Sequence, residues 1–248
     1  MKTLENLSSS EQLVVKGYGF IGFTPPGNLV TRVMNGWRKY LQVPRAERLQ
    51  WRVGDPRDWD DGYVAREGGE YDQKDFFHYR PHLYALLDHA GVDYGEHLEW
   101  LCDLDRLWEY CRMSFQKIVF QLNTILPDYD LYRRFQSPVA RSRHVIRLLS
   151  YNNDLQPGKL LGKAHVDRNF GTFQIFETHP ALSLEIGSER ISYRPKPGQV
   201  LVFTGGKAEL LTEGKLKGVK HVITVPDDFI AKKGEARQSI VFFAHVYI

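Results

Sequence analysis

Cysteine is scarce, with only Cys102 and Cys111 in 248 residues. A disulfide scaffold is excluded, and two thiols nine positions apart in one helix-like stretch fit a reducing compartment. Neither sign of charge dominates: 33 Lys+Arg against 30 Asp+Glu leaves +3. That surplus is too mild for a nucleic-acid partner, which calls for a clustered basic face. No apolar run reaches the ~20 residues of a membrane span. The opening MKTLENLSSSEQ has no apolar stretch to act as a signal peptide. Repeats and low-complexity tracts are absent too. These absences leave a soluble, cytoplasmic protein with no nucleic acid and no membrane among its partners as the expectation. The 42% apolar content is that of a globular chain, and the length fits one domain over 1–248.

The pattern of apolar residues divides that domain into a mostly helical part, 1–137, and a strand-rich core, 138–248. Ser8 and Glu11 have capping-box spacing, which predicts a short helix from Ser9 to Gly17. Gly19–Phe23 reads as a strand. A second helix carries Leu29, Val33, Trp37, Tyr40 and Leu41 on one face, and Pro44 ends it. Residues 51–80, rich in Gly, Asp and Trp, read as loop. From Glu96 to Leu126, Leu101, Leu104, Trp108, Cys111, Phe115, Ile118, Leu122 and Ile125 recur in steps of three and four. That predicts one long amphipathic helix supporting a sheet. After Pro138, short β-branched and aromatic runs alternate with turn signals: HVIRLLSY, GTFQIFE, ALSLEIG, ISYRP, GQVLVFTG, HVITVP and QSIVFFAHVYI. DLQPG and PKPG read as breaks. Helices followed by strands give an α+β class, a jelly roll with helices packed on one sheet.

Three motifs on the strand-rich half carry chemistry. His165 and Asp167 are two apart on an extended segment, so both point to one side. His221 lies 54 positions beyond Asp167, with strand-like runs between that can return it to the same mouth. Two imidazoles and a carboxylate on one side of a metal are the ligand set of non-heme Fe(II) oxygenases. Arg237 and Ser239 head the last run and share a face. A guanidinium grips a carboxylate through two parallel hydrogen bonds, and a buried arginine needs an anionic partner. The distal carboxylate of 2-oxoglutarate would serve. Each motif alone is weak. A lone His-x-Asp pair or an exposed strand-edge arginine is commonplace. Their order and spacing carry the reading.

With those motifs in place, the sequence resembles the isopenicillin N synthase-like Fe(II)/2-oxoglutarate-dependent oxygenases. The likeness extends to GYGFIGFTPPGN, YLQVPRAER, DGYV, DQKDFFHYRP and YRPKPGQVLVFTGGKAELLTEGKLKGVKHVI, and so covers nearly the whole chain. The resemblance implies a double-stranded β-helix, the jelly roll of this family. It implies Fe(II) on His165, Asp167 and His221, with 2-oxoglutarate as cosubstrate and O2 as oxidant. Arg237 and Ser239 would hold the C5 carboxylate of 2-oxoglutarate. Tyr151, in RLLSYNND, falls near the family's Asn-Tyr-Tyr element and would also line the cosubstrate. The implied activity is oxidation of a C–H bond in a small molecule, with hydroxylation as the usual outcome. An iron oxidase that needs no 2-oxoglutarate and a non-catalytic jelly-roll binding protein are the alternatives.

The sequence also departs from the family. His221 and Arg237 are 16 positions apart, longer than usual, and Asp227–Glu235 takes up the excess. Lys207 stands where the family has an aspartate. Ser239 lies nine positions from the last residue, so the usual covering tail is expected to be missing. The mouth would then be open, or covered by the loops Trp51–Arg80 and Asp227–Glu235. His78, His82 and His89 do not suggest a second metal site, because Pro81 interrupts their spacing. His245 reads as structural, and Arg168, Asn169 and Phe170 as residues near the mouth.

Overall fold

The computed structural model describes residues 7–54, 60–66, 72–151, 155–192, 196–230 and 236–247. Helix α1 (Ser9–Lys16) starts at a closed capping box, with the Glu11 amide donating to Ser8 Oγ and the Ser8 amide donating to Glu11 Oε2. Strand β1 (Tyr18–Gly22) leads to α2 (Leu29–Tyr40), which buries Leu29, Val33, Met34, Trp37 and Tyr40. Helix α3 (Arg45–Leu49) follows Pro44, and strands β2 (Arg52–Val53), β3 (Asp61–Arg66) and β4 (Lys74–Tyr79) come next. Helix α4 (Leu83–His89) precedes α5 (Leu98–Ile125), the long helix that the periodicity predicts. Two short helices, α6 (Leu131–Gln136) and α7 (Pro138–Arg143), lead to β5 (Val145–Tyr151).

The remaining strands are β6 (Leu160–Val166), β7 (Gly171–Glu177), β8 (Leu182–Ile186), β9 (Glu189–Ser192), β10 (Gln199–Thr204), β11 (Lys220–Thr224) and β12 (Arg237–Ala244). A one-and-a-half-turn helix, α8 (Gly206–Leu211), interrupts them after β10. They form an eight-stranded sheet, ordered β1-β10-β7-β12-β5-β4-β3-β2, and a four-stranded sheet, β6-β11-β8-β9. Every pairing among the described residues is antiparallel.

Alternation decides which core each side chain joins. On β12, Ile240, Phe242 and Ala244 pack toward the helices, while Val241 and Phe243 face the small sheet. On β5, Ile146 and Leu148 take the helix side, and Leu149 and Tyr151 take the other. The buried stripe of α5 covers the outer face, with Phe115 centred 4.9 Å from Phe173. Trp108 fixes that helix by donating from Nε1 to the His144 carbonyl at 2.9 Å. Leu161, Leu182, Leu184 and Ile223 of the small sheet close the second core against the inner face. This is the double-stranded β-helix with a supporting helix that the resemblance implies.

Two sequence readings need correction. Residues 51–80 are not a loop: β2, β3 and β4 extend the large sheet, and β4 pairs with β5 from Asp75↔Ser150 to Tyr79↔Ile146. The N-terminal part therefore supplies four of the eight strands, β1 to β4. Strand β6, which carries His165, is also absent from the list of strand-like runs, because Gly162 and Lys163 break its apolar pattern. Pro195 of the PKPG turn, residues 55–59 and 67–71 of the stretch read as loop, and residues 231–235 of Asp227–Glu235 lie outside the described residues.

Candidate active site

The two sheets bring the first motif's parts together by register. His221 on β11 stands opposite His165 on β6, and their ring centroids are 4.4 Å apart. Asp167 follows β6 directly. The carbonyls of Asp167, Phe170 and Asn169 accept hydrogen bonds from the amides of Gly206, Gly205 and Lys207, at 2.7, 3.0 and 3.2 Å. Glycine is needed at this crossing, since a Cβ on Gly205 would stand 2.2 Å from the Asn169 carbonyl and 2.8 Å from that of Asp167. The ligand atoms of His165, Asp167 and His221 lie within 4.8 Å of one another, a group able to hold a metal ion.

Hydrogen bonds around the three residues aim their ligand atoms. His165 Nδ1 lies 2.7 Å from the Lys163 carbonyl, and His221 Nδ1 lies 3.3 Å from that of Val219. A carbonyl only accepts, so each ring carries its proton on Nδ1 and keeps the Nε2 lone pair free. Both Nε2 atoms face Asp167 Oδ1, at 3.5 and 3.9 Å. Thr172 donates to the other oxygen, Oδ2, at 2.7 Å, and itself accepts from Asn169 Nδ2 at 2.9 Å. Oδ1 is thus left to the metal. Such outer partners orient ligands and tune their basicity.

The electrostatics match. Burial alone would raise the Asp167 carboxyl, but its contacts with His165 and His221 and the Thr172 hydroxyl hold it at about 2. His165 is raised, chiefly by its contact with Asp167. His221 is lowered by burial. Two neutral-capable imidazoles and an ionised carboxylate are the donor set that suits Fe(II) in a non-heme site.

A cavity of about 60 Å³ opens from this cluster, lined also by Tyr151, Arg237 and Ser239. Arg237 is the large buried cation of the site, 2% exposed, with its guanidinium 5.4 Å from the Tyr151 ring. Its anionic partner is an internal one. Arg237 Nη2 donates to Glu177 Oε2 at 2.6 Å, Nη1 reaches Ser239 Oγ at 3.5 Å, and Nε reaches the His179 carbonyl at 3.4 Å. A shift of register in the β12–β7 ladder beside Ile240 and Val241 places Glu177 opposite Ser239. The expectation that an inward Arg237 must wait for an outside anion therefore changes. Glu177 already neutralises it, and one N–H on each terminal nitrogen is left for an incoming carboxylate.

Sequence reading missed Glu177, Thr172, Gln174, Lys74 and Arg147, all in or beside this cavity. Alternation along GTFQIFE would have put Thr172 and Gln174 inside with Asp167. Nothing in the sequence signals the shift that brings in Glu177. Of the residues expected near the mouth, Arg168 is exposed there, while Phe170 is wholly buried and Asn169 is spent on Thr172. His78, His82 and His245 lie apart from the cluster. His78 bonds the Asp60 carbonyl and Arg147, and His82 bonds Asp61. His245 packs beside His144 in the core.

Residues 139–246 match the 2OG-Fe(II) oxygenase superfamily. Among solved structures, the chain resembles a full-length Neurospora crassa protein in complex with alpha-KG, with a TM-score of 0.76 and 16% identity, over 98% of this chain and 80% of that one. It also resembles AtDAO1, the dioxygenase for auxin oxidation 1 from Arabidopsis thaliana, in its 2-oxoglutarate complex. There the TM-score is 0.70 and the identity 16%, over 99% of this chain and 91% of that one. No curated protein matches the sequence. Likeness at such identity fixes the fold. The superfamily match falls on the strand-rich core, the part that carries His165, Asp167, His221, Arg237 and Ser239. Among the described residues, no helix is long and apolar enough to cross a membrane.

Proposed function

We propose that this chain is an Fe(II)- and 2-oxoglutarate-dependent oxygenase that acts on a C–H bond of a small molecule, with iron held by His165, Asp167 and His221. The observation that carries this reading is the meeting of three aimed ligand atoms with a buried arginine in one cavity. When bound, iron and 2-oxoglutarate together supply an oxidant from O2, the cosubstrate leaving as succinate and CO2. The chain's own residues position and protect. His165 and His221 offer Nε2, and Thr172 turns Asp167 Oδ1 toward them. Arg237, held by Glu177 and Ser239, presents its two remaining N–H groups to the C5 carboxylate of 2-oxoglutarate. Tyr151 covers that guanidinium. Leu149, Leu182, Phe203 and Ile223 line the cavity with apolar surface that keeps bulk water from the reacting groups.

The test is anaerobic Fe(II) titration of the parent and of His165→Ala, Asp167→Ala and His221→Ala. The parent should take up one Fe(II) per chain, and each variant should bind it far more weakly. Iron binding by all three variants equal to the parent's would remove the assignment.

A further inference from the structure

The inner face of β5 and β12 carries an arginine at each end. Arg237 pairs with Tyr151, whereas Arg147 pairs with Val241. Four residues separate Arg147 from Tyr151, about 13 Å along a strand. Both arginines line the cavity of the metal cluster. Arg147 also lines an adjoining cleft of about 480 Å³ that shares His165 and Asp167 with it. Three arginines, Arg66, Arg147 and Arg168, line that cleft, and among the described residues Asp167 is its one acid.

Arg147 is held rigidly by its neighbours. Its guanidinium lies 5.3 Å from the Phe76 ring and 4.7 Å from the Phe243 ring. Its Nε donates to His78 Nε2 at 2.6 Å, while His78 Nδ1 contacts the Asp60 carbonyl, also at 2.6 Å. That histidine is a neutral acceptor, since burial first and the charge of Arg147 next push its pKa well down. Among the described residues, no carboxylate forms an ion pair with Arg147, whereas Arg66 is already matched to Asp72. Burial lowers Arg147 to about 10, and Asp167 is the chief opposing charge that holds it up. A metal on Asp167 would share that charge. Among the described residues nothing else bonds the terminal nitrogens of Arg147, which form a paired fork between two rings at the cleft.

We propose that Arg147 is the docking group for an anionic substrate, a small organic acid whose carboxylate takes that fork and whose reacting C–H bond lies over His165 and Asp167. The inference rests on the oxygenase reading above and names its substrate class. The cosubstrate is not the anion meant. The end carbons of 2-oxoglutarate are about 5 Å apart at ordinary bond lengths. With its C5 carboxylate on Arg237 and its other carboxylate taken up at the metal ligands, it would leave no free carboxylate for the fork of Arg147. A guanidinium fixed in a plane suits a carboxylate, which it binds through two parallel hydrogen bonds.

The experiment uses anaerobic protein loaded with Fe(II) and 2-oxoglutarate, and reads the weak visible charge-transfer band and the melting temperature. The probes are monocarboxylates from hexanoate to dodecanoate, phenylacetate and cinnamate, each against its primary amide. At least one acid should perturb the band and raise the melting temperature, with its amide about tenfold weaker or worse. Arg147→Gln should lose the preference for the acid, and Arg147→Lys should keep part of it. Both should bind 2-oxoglutarate within about twofold of the parent, a shift of under 0.5 kcal/mol. Equal binding of acids and amides, no binding by any acid, or a parallel loss of 2-oxoglutarate binding in Arg147→Gln overturns the proposal. A parent that gives no charge-transfer band instead removes the oxygenase reading, and this inference with it.

Discussion

At Thr172 one hydroxyl decides which oxygen of Asp167 is free. Asn169 donates to it, so its own proton turns to Asp167 Oδ2. Thr172→Val keeps the shape and removes the donor. Iron affinity should fall about 10–100-fold by anaerobic titration, with the melting temperature of the metal-free protein nearly unchanged. Arg237 and Glu177 make the second residue-scale case. They are 2% and 4% exposed in their side chains, so breaking the pair leaves a buried charge alone. Arg237→Ala should cost about 3–5 kcal/mol in denaturant unfolding. Arg237→Ala combined with Glu177→Gln should regain much of that stability without regaining 2-oxoglutarate binding. If the double variant binds the cosubstrate as the parent does, Arg237 has no part in holding it.

Among the elements, α2 and α5 are tied by Arg32, which grips Asp103 through Nε and Nη2, both at 2.8 Å. The Arg32 hydrogen bond holds the Asp103 carboxyl below its usual range against the opposing effect of burial. A carboxyl depressed in the folded state stabilises above its unfolded value of about 3.9, and that gain is lost as pH falls toward the folded value. Asp103→Asn should therefore cost about 1 kcal/mol at pH 7, and the difference should shrink between about pH 5 and pH 3. An unchanged gap down to pH 3 would contradict the linkage. These elements also show what was legible in the sequence. The stripe on α5 and the alternation on β5 and β12 are periodic signals long enough to read. Strands β3 and β4 were not, because DGYVAR and KDFFHY mix glycine and charge with short apolar pairs. Their sheet positions depend on β5, a partner far along the chain. The metal cluster was legible because strand spacing alone aligns His165 with Asp167. Arg147 and Glu177 were not, since each gains its meaning from a neighbour across the sheet.

On the scale of the molecule, the helices cover the outer face of the large sheet, and the small sheet encloses a cavity on its inner face. Strands β5 and β12 belong to both cores. Unfolding them therefore exposes both, and one cooperative transition by circular dichroism and calorimetry is expected. Two resolved transitions would mean that residues 1–137 and 138–248 fold as separate units. The same strands carry Arg147, Tyr151, Arg237 and Ser239 to one side of the metal cluster, so fold and site are one construction. The most direct measurement is an anaerobic titration of the Fe(II)-loaded protein with 2-oxoglutarate, followed by admission of air. A weak visible charge-transfer band that saturates at one 2-oxoglutarate per chain, then succinate released at one per cosubstrate consumed, is the expected result. Iron bound with neither band nor succinate would contradict it.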